Sequence, residues 1–181
     1  MDSEKASNSC SAAGDYYTGG LVGEISGGTI SNCYSTSEVE GLTGGSDNIG
    51  GLVGWNDGGA VSNCYAVGSV QGDLYIGGLV GLHSTGSYAD CFWDSDVNPD
   101  VNGIGNIPDP PDVIGESTTN MKKESTFTDA SWDFVEIWNI GENQTYPYLR
   151  VYPAGDLNHD GRVDFFDFAI AASHWLEGAG Q

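Results

Sequence analysis

Positive charge is nearly missing from this chain: five Lys and Arg stand against 26 Asp and Glu, a formal net charge of −21 over 181 residues. Such a field repels phosphate backbones and anionic lipid headgroups and attracts divalent cations, so nucleic acid is excluded as a partner. Long apolar runs are also absent. No stretch approaches the roughly 20 residues that cross a bilayer as a helix. The opening Met1-Asp2-Ser3-Glu4-Lys5 has neither the basic start nor the apolar centre of an export signal. Cysteine is sparse, at four residues. Glycine, in contrast, reaches 28 residues, and regularly spaced Leu, Val, Ile and Cys among it argue against disorder.

The same five residues occur three times, as Gly19-Gly20-Leu21-Val22-Gly23, Gly50-Gly51-Leu52-Val53-Gly54 and Gly77-Gly78-Leu79-Val80-Gly81. Twelve residues after each Leu comes a Cys, at Cys33, Cys64 and Cys91, followed by Tyr34, Tyr65 or Phe92. Between them lie a turn of small residues and Ile30, Val61 or Tyr88. The first two repeats start 31 residues apart and the next two 27, with the extra residues confined between Val39 and Ile49. That period marks a solenoid, whose strands keep register with the rung below while insertions bulge at one corner. Asn8-Ser9-Cys10 followed by Tyr16-Tyr17-Thr18-Gly19-Gly20 reads as part of an earlier rung, so the chain is expected to open inside a repeat. The fold expected is mainly β, a right-handed parallel β-solenoid with Leu21, Leu52 and Leu79 in one inward column and Cys33, Cys64 and Cys91 in another. Stacked in this way, the cysteines form a ladder of small apolar thiols. A disulfide between neighbouring rungs is the geometrical alternative, and three thiols in one ladder lack the tetrahedral arrangement of zinc.

These repeats resemble the GLUG motif of large bacterial surface proteins, including haemagglutinin-like adhesins and the non-catalytic regions of IgA-specific metallopeptidases. The resemblance continues through Cys91-Phe92-Trp93-Asp94, Thr126-Phe127, Trp132-Asp133-Phe134, Trp138-Asn139-Ile140-Gly141 and Tyr146-Pro147-Tyr148-Leu149. It implies that Trp93, Phe127, Trp132, Phe134, Trp138 and Tyr148 close the stack, whose last rung would otherwise expose unpaired edge groups. The expected organisation is a repeat array over residues 1–105, a connector and solenoid cap over 106–152, and a separate tail over 153–181.

The tail carries the most specific motif. In Asp156-Leu157-Asn158-His159-Asp160-Gly161-Arg162-Val163-Asp164-Phe165-Phe166-Asp167, oxygen-bearing side chains occupy loop positions 1, 3, 5, 9 and 12, with Gly at position 6. A loop that wraps Ca²⁺ needs hard oxygen ligands on alternate residues, a Gly at the sharp turn and a closing carboxylate. Asp156, Asn158, Asp160, Asp164 and Asp167 supply side-chain oxygens, and Arg162 its carbonyl. The closing residue is Asp, the preceding Tyr146–Pro153 stretch reads as extended, and a helix is expected from Asp164 to Glu177 with Gly178 as its terminator. The segment therefore resembles a bacterial dockerin repeat, an EF-hand-like loop and helix without the first helix. Dockerins carry two such repeats, and this chain shows one. The resemblance implies Ca²⁺ as cofactor and a cohesin-like protein partner, with Phe165, Phe166 and Trp175 on the apolar surface that meets it.

Asp94, Asp96, Asn98, Asp100 and Asn102 also alternate, but without a Gly at the turn and with Pro99 between them, and they read as a solvated acidic loop. His83, His159 and His174 read as surface or structural residues, and Trp55 and Tyr75 as isolated aromatics, either of which could present a face to a sugar. Catalysis is not expected. A β-helix lyase acting on acidic sugars needs a basic residue near the substrate carboxylate, and Lys5 is the one basic residue before Lys122. The reading is a non-catalytic module, secreted or on the cell surface, that attaches through its tail to a protein partner, such as a polysaccharide-degrading assembly. The alternative is a fragment of a β-helix polysaccharide-active enzyme or a carbohydrate-binding module.

Overall fold

The computed structural model describes residues 11–42 and 47–178, with side chains at 11–42 and 48–173. The rung expected around Asn8 and Cys10 and the Trp175 side chain lie outside the described residues. The chain winds through about three turns of a parallel β-solenoid. The first described turn holds β1 (Ser11–Gly14), β2 (Tyr16–Gly19), β3 (Val22–Ile25), β4 (Thr29–Ser31) and β5 (Tyr34–Ser35). The second holds β6 (Glu38–Gly41), β7 (Asp47–Gly50), β8 (Val53–Ser62) and β9 (Tyr65–Ala66). The third holds β10 (Val70–Gln71), β11 (Leu74–Ala89) and β12 (Cys91–Asp94), and the shorter β13 (Asn102–Ile104) and β14 (Val113–Glu116) lie beyond it. Every pairing among these strands is parallel.

Equivalent residues of the repeats stack directly. Val53 pairs with Val22 and Val80, Val61 with Ile30 and Tyr88, and Phe92 with Tyr65 and Ile114. Asn32, Asn63 and Asp90, each immediately before a Cys, have φ of 52°, 49° and 51°. Asn and Asp tolerate this left-handed conformation better than other side-chain-bearing residues, which explains the recurring Asn/Asp-Cys pair at the corner. Gly50 and Gly77 are required for a different reason: a Cβ there would run into the carbonyl oxygens of Val53 and Val80 respectively.

Leu52, Leu79, Val53, Val80, Cys64 and Cys91 are buried together with Trp93, Ile104 and Val113. Leu21 departs from the expected inward column. It is 47% exposed, because Leu52 and Leu79 are covered by a turn on each side while no described turn covers Leu21. Cys33 is correspondingly half-buried, and all three described cysteines are free thiols. Burial pushes the Cys64 thiol up to about 12 and the Cys91 thiol to about 11.

Strand alternation sends the residue after each Cys to the opposite face. Tyr34 and Tyr65 stack there at 5.2 Å with their planes 5° apart. Tyr65 and Phe92 are buried under Met121, Phe127, Trp132 and Trp138. Met121, Phe127 and Trp138 come from a 3₁₀ turn (Asn120–Lys122), α1 (Glu124–Thr128) and the strand β15 (Trp138–Asn139), which pairs antiparallel with β16 (Tyr148–Leu149), and Trp132 from the loop after α1. The large aromatics thus buttress the flank of the coil rather than lying over its last rung. That rung is covered instead by β13, β14 and two side-chain amides. Asn98 accepts from Val70 N–H at 2.9 Å and donates to Gly68 C=O at 3.0 Å. Asn106 likewise accepts from His83 N–H at 2.8 Å and donates to its C=O at 2.9 Å. Each amide makes the pair of bonds that a further strand would make, which blunts an open edge.

Candidate metal centre

The tail is built from local hydrogen bonds. Gly155 (φ 100°) turns the chain into the loop, and Asp156 N–H bonds Pro153 C=O at 3.0 Å. The Asp156 carboxylate, 5% exposed, accepts from Asp160 N–H at 3.2 Å and from Gly161 N–H at 2.8 Å. The second bond requires the loop to fold back on itself, which Gly161 permits at φ 85° with open space around it. Asp167, 2% exposed, closes the other side by accepting from Leu157 N–H at 2.7 Å and Asn158 N–H at 3.2 Å.

The helix α2 (Phe165–Gly178) starts where the loop ends. Asp164 Oδ1 accepts from Phe166 N–H at 2.8 Å while Asp167 Oδ2 accepts from Asp164 N–H at 2.8 Å. This reciprocal pair is a capping box with Asp in the place of Glu. The N–H of Asp164, then those of Leu157 and Asn158, hold the Asp167 carboxyl below the usual carboxylate range against the opposing effect of burial. Asn158 and Asp160 are exposed and bonded to each other at 3.0 Å, and Asp160 Oδ1 also accepts from Arg162 N–H at 2.9 Å.

The structure therefore brings Asp156 and Asp167 onto the loop backbone and leaves Asn158, Asp160, Arg162 and Asp164 exposed. Among the described residues no three His, Cys, Asp or Glu side chains converge as a metal-holding group. The chemistry nevertheless fits a hard cation: both buried carboxylates are held by backbone N–H groups, with no cationic side chain against either among the described residues. Beyond the loop, Phe165, Phe166 and Phe168 are 75%, 69% and 66% exposed. The loop meets the body where His159 stacks on Tyr152 at 4.4 Å and approaches Glu136 at 3.3 Å.

In the second alternating acidic stretch Asp96, Asp100 and Asn102 are exposed as expected, whereas Asp94 and Asn98 are buried. Asp94 is fully buried, accepting from Thr118 Oγ1 and Tyr146 O–H at 2.7 Å each and from Asp96 and Val97 N–H. Burial and the neighbouring Asp94 carboxylate push the Tyr146 phenol up to about 12. Together these groups clamp the coil to its aromatic flank. Alternation from Cys91 inward through Phe92 outward and Trp93 inward could have located Asp94 on that flank. Spacing read for metal ligands alone missed it.

The family model for the GLUG motif matches residues 14–40 and 45–71. A protein of Evansella cellulosilytica, provisionally named a Gly-rich membrane protein, is 48% identical over 48 residues, covering 24% of this chain and 5% of that protein. The chain thus spans a small fraction of that relative's length. No helix of the described residues is long and apolar enough to cross a membrane. No solved structure matches the chain. The first two turns of the solenoid are accordingly GLUG motif repeats, and the third reproduces their geometry with the same pentapeptide and Cys spacing.

Proposed function

We propose that the chain is a non-catalytic, extracellular or cell-surface module in which a right-handed GLUG-repeat coil carries a calcium-dependent, dockerin-like tail. Asp156, Asn158, Asp160, Asp164 and Asp167, with the Arg162 carbonyl, would hold the ion, which would neutralise the loop's four carboxylates. Once fixed, α2 offers Phe165 and Phe166 to a cohesin-like protein partner; the side chain of Trp175, the third contact expected from the sequence, lies outside the described residues. The observation that carries this reading is the pairing of two nearly buried carboxylates, Asp156 and Asp167, with exposed Phe165, Phe166 and Phe168 directly beyond them. A cation binds the first feature, and a cluster of three exposed Phe is too apolar to be left in water without a use.

Calorimetric titration of Ca²⁺ into the chain and into Asp156→Ala, Asp167→Ala and the exposed control Asp100→Ala tests the site. Binding in the wild type and the control, lost in the two loop variants, is expected. Absence of binding heat at millimolar Ca²⁺, or equal loss in Asp100→Ala, refutes it.

A further inference from the structure

The solenoid itself presents a second candidate surface. Tyr17, Asn48 and Tyr75 occupy one register position in three successive turns, since Tyr16 and Leu74 both pair with Asp47. All three adopt the same left-handed backbone, with φ of 48°, 64° and 50°. A bulky aromatic is unfavourable in that conformation, yet two of the three positions are Tyr, each 39% exposed. Trp55 joins the row from the neighbouring strand. Its ring lies 4.9 Å from that of Tyr17, tilted by 30°, and its indole N–H is pinned to Ser84 Oγ at 2.8 Å. Between the two tyrosines, Asn48 is buried, and its amide oxygen has no hydrogen-bond donor among the described residues.

We infer that this row binds an extended, uncharged glycan chain of the β-1,4 type. Tyr17 and Tyr75 stand two rungs apart, about 9.6 Å at the usual spacing of about 4.8 Å, comparable to one disaccharide unit of a flat glycan ribbon. Aromatic faces spaced in this way stack on every second sugar. The pinned Trp55–Tyr17 pair is already in place before binding, which lowers the ordering cost. Charge selects against acidic polysaccharides. The chain has no Lys or Arg between Lys5 and Lys122, so no cation on these turns offsets repulsion of a uronate.

The test is native affinity electrophoresis of the full chain in gels containing hydroxyethylcellulose, with EDTA present so that the tail plays no part. Polygalacturonate gels serve as the charged comparison. Retardation by hydroxyethylcellulose alone is expected, weakened roughly three- to tenfold in Tyr75→Ala and in Tyr17→Ala, the range for one stacked ring. Tyr148→Ala, at an exposed tyrosine off the row, should bind as wild type. Because Tyr75 is partly exposed, its variant should keep the wild-type melting temperature, so lost retardation reports the surface and not the fold. No retardation of the wild type, equal retardation of all variants, or preference for polygalacturonate would each overturn the assignment.

Discussion

The coil and the tail satisfy the same backbone chemistry over very different distances along the chain. In the coil, Leu21 N–H bonds Leu52 C=O and Leu52 N–H bonds Leu79 C=O, one full turn away in each case. In the tail, the Asp156 and Asp167 carboxylates bond groups no more than ten residues distant. Side-chain burial follows the same division. The coil sequesters Leu52, Leu79, Cys64 and Cys91 completely, whereas α2 leaves three Phe exposed. Stacking gives each turn two neighbours and a shared core, so stability accumulates along the array. A short loop and helix has no such stack of neighbours, and in the function proposed above it draws order from an ion or a partner.

The largest effect is expected where the coil's interior is fullest. Trp93 lies against Gly78, Gly103 and Gly115, and a Cβ at any of these would collide with its indole. Trp93→Ala should cost about 3–5 kcal/mol, seen as a lower urea midpoint. A change below about 1 kcal/mol would mean that the turns do not share one cooperative core. Asp94→Ala comes next. It strands the Tyr146 and Thr118 hydroxyls and two N–H groups, and a loss of about 3 kcal/mol is expected. Asp94→Asn, which can still accept two of the four bonds, should recover part of it.

Much of the coil was legible because its signals are local and repeated: the pentapeptide fixed the rungs, the twelve-residue offset fixed the Cys ladder, and Asn32, Asn63 and Asp90 mark a corner that needs a left-handed residue. Three features were not legible. Leu21 shares the motif of Leu52 and Leu79, but its burial depends on what lies on its outer side. Asn98 and Asn106 cover the last rung with side-chain amides, which no periodicity announces. Asp94 looked like one member of an alternating acidic run; strand alternation places it on the flank, but its clamping role comes from its contact with Tyr146, 52 residues on. In the tail the helix was readable from its apolar residues after Asp164 and from Gly178 at its end. The arrangement of the loop's oxygen-bearing side chains was not, since Asn158 and Asp160 bond each other.

Thiol titration sharpens the comparison within the coil. Cys64 and Cys91 should resist a thiol reagent in the native state, with half-buried Cys33 reacting first among the three, and four thiols should react after unfolding without reductant. Fewer than four would reveal a disulfide. Both buried thiols have folded values above the ordinary 9.0, raised to about 12 and about 11 by burial. The unfolded chain therefore releases these protons first as pH rises. Their contribution is fully present below pH 9 and is lost as pH climbs through 11 to 12, so the urea midpoint should fall over that window. Cys64→Ser with Cys91→Ser should flatten that slope.

The smallest effect on the coil should come from the tail, and it is the most direct way to break the division drawn between them. If the loop owes its order to Ca²⁺, adding the ion should raise the protease resistance and helicity of residues 154–178. The coil's unfolding midpoint should meanwhile move by less than about 0.5 kcal/mol. Asp156→Ala should abolish the gain in the tail and leave the coil as it was. A tie that could transmit more is His159, which stacks on Tyr152 and approaches Glu136. His159→Ala removes it without removing a proposed ligand. Should Ca²⁺ stabilise the coil in the wild type but not in His159→Ala, the two regions are coupled through that stack, and the tail is a part of the folded body rather than an appendage to it.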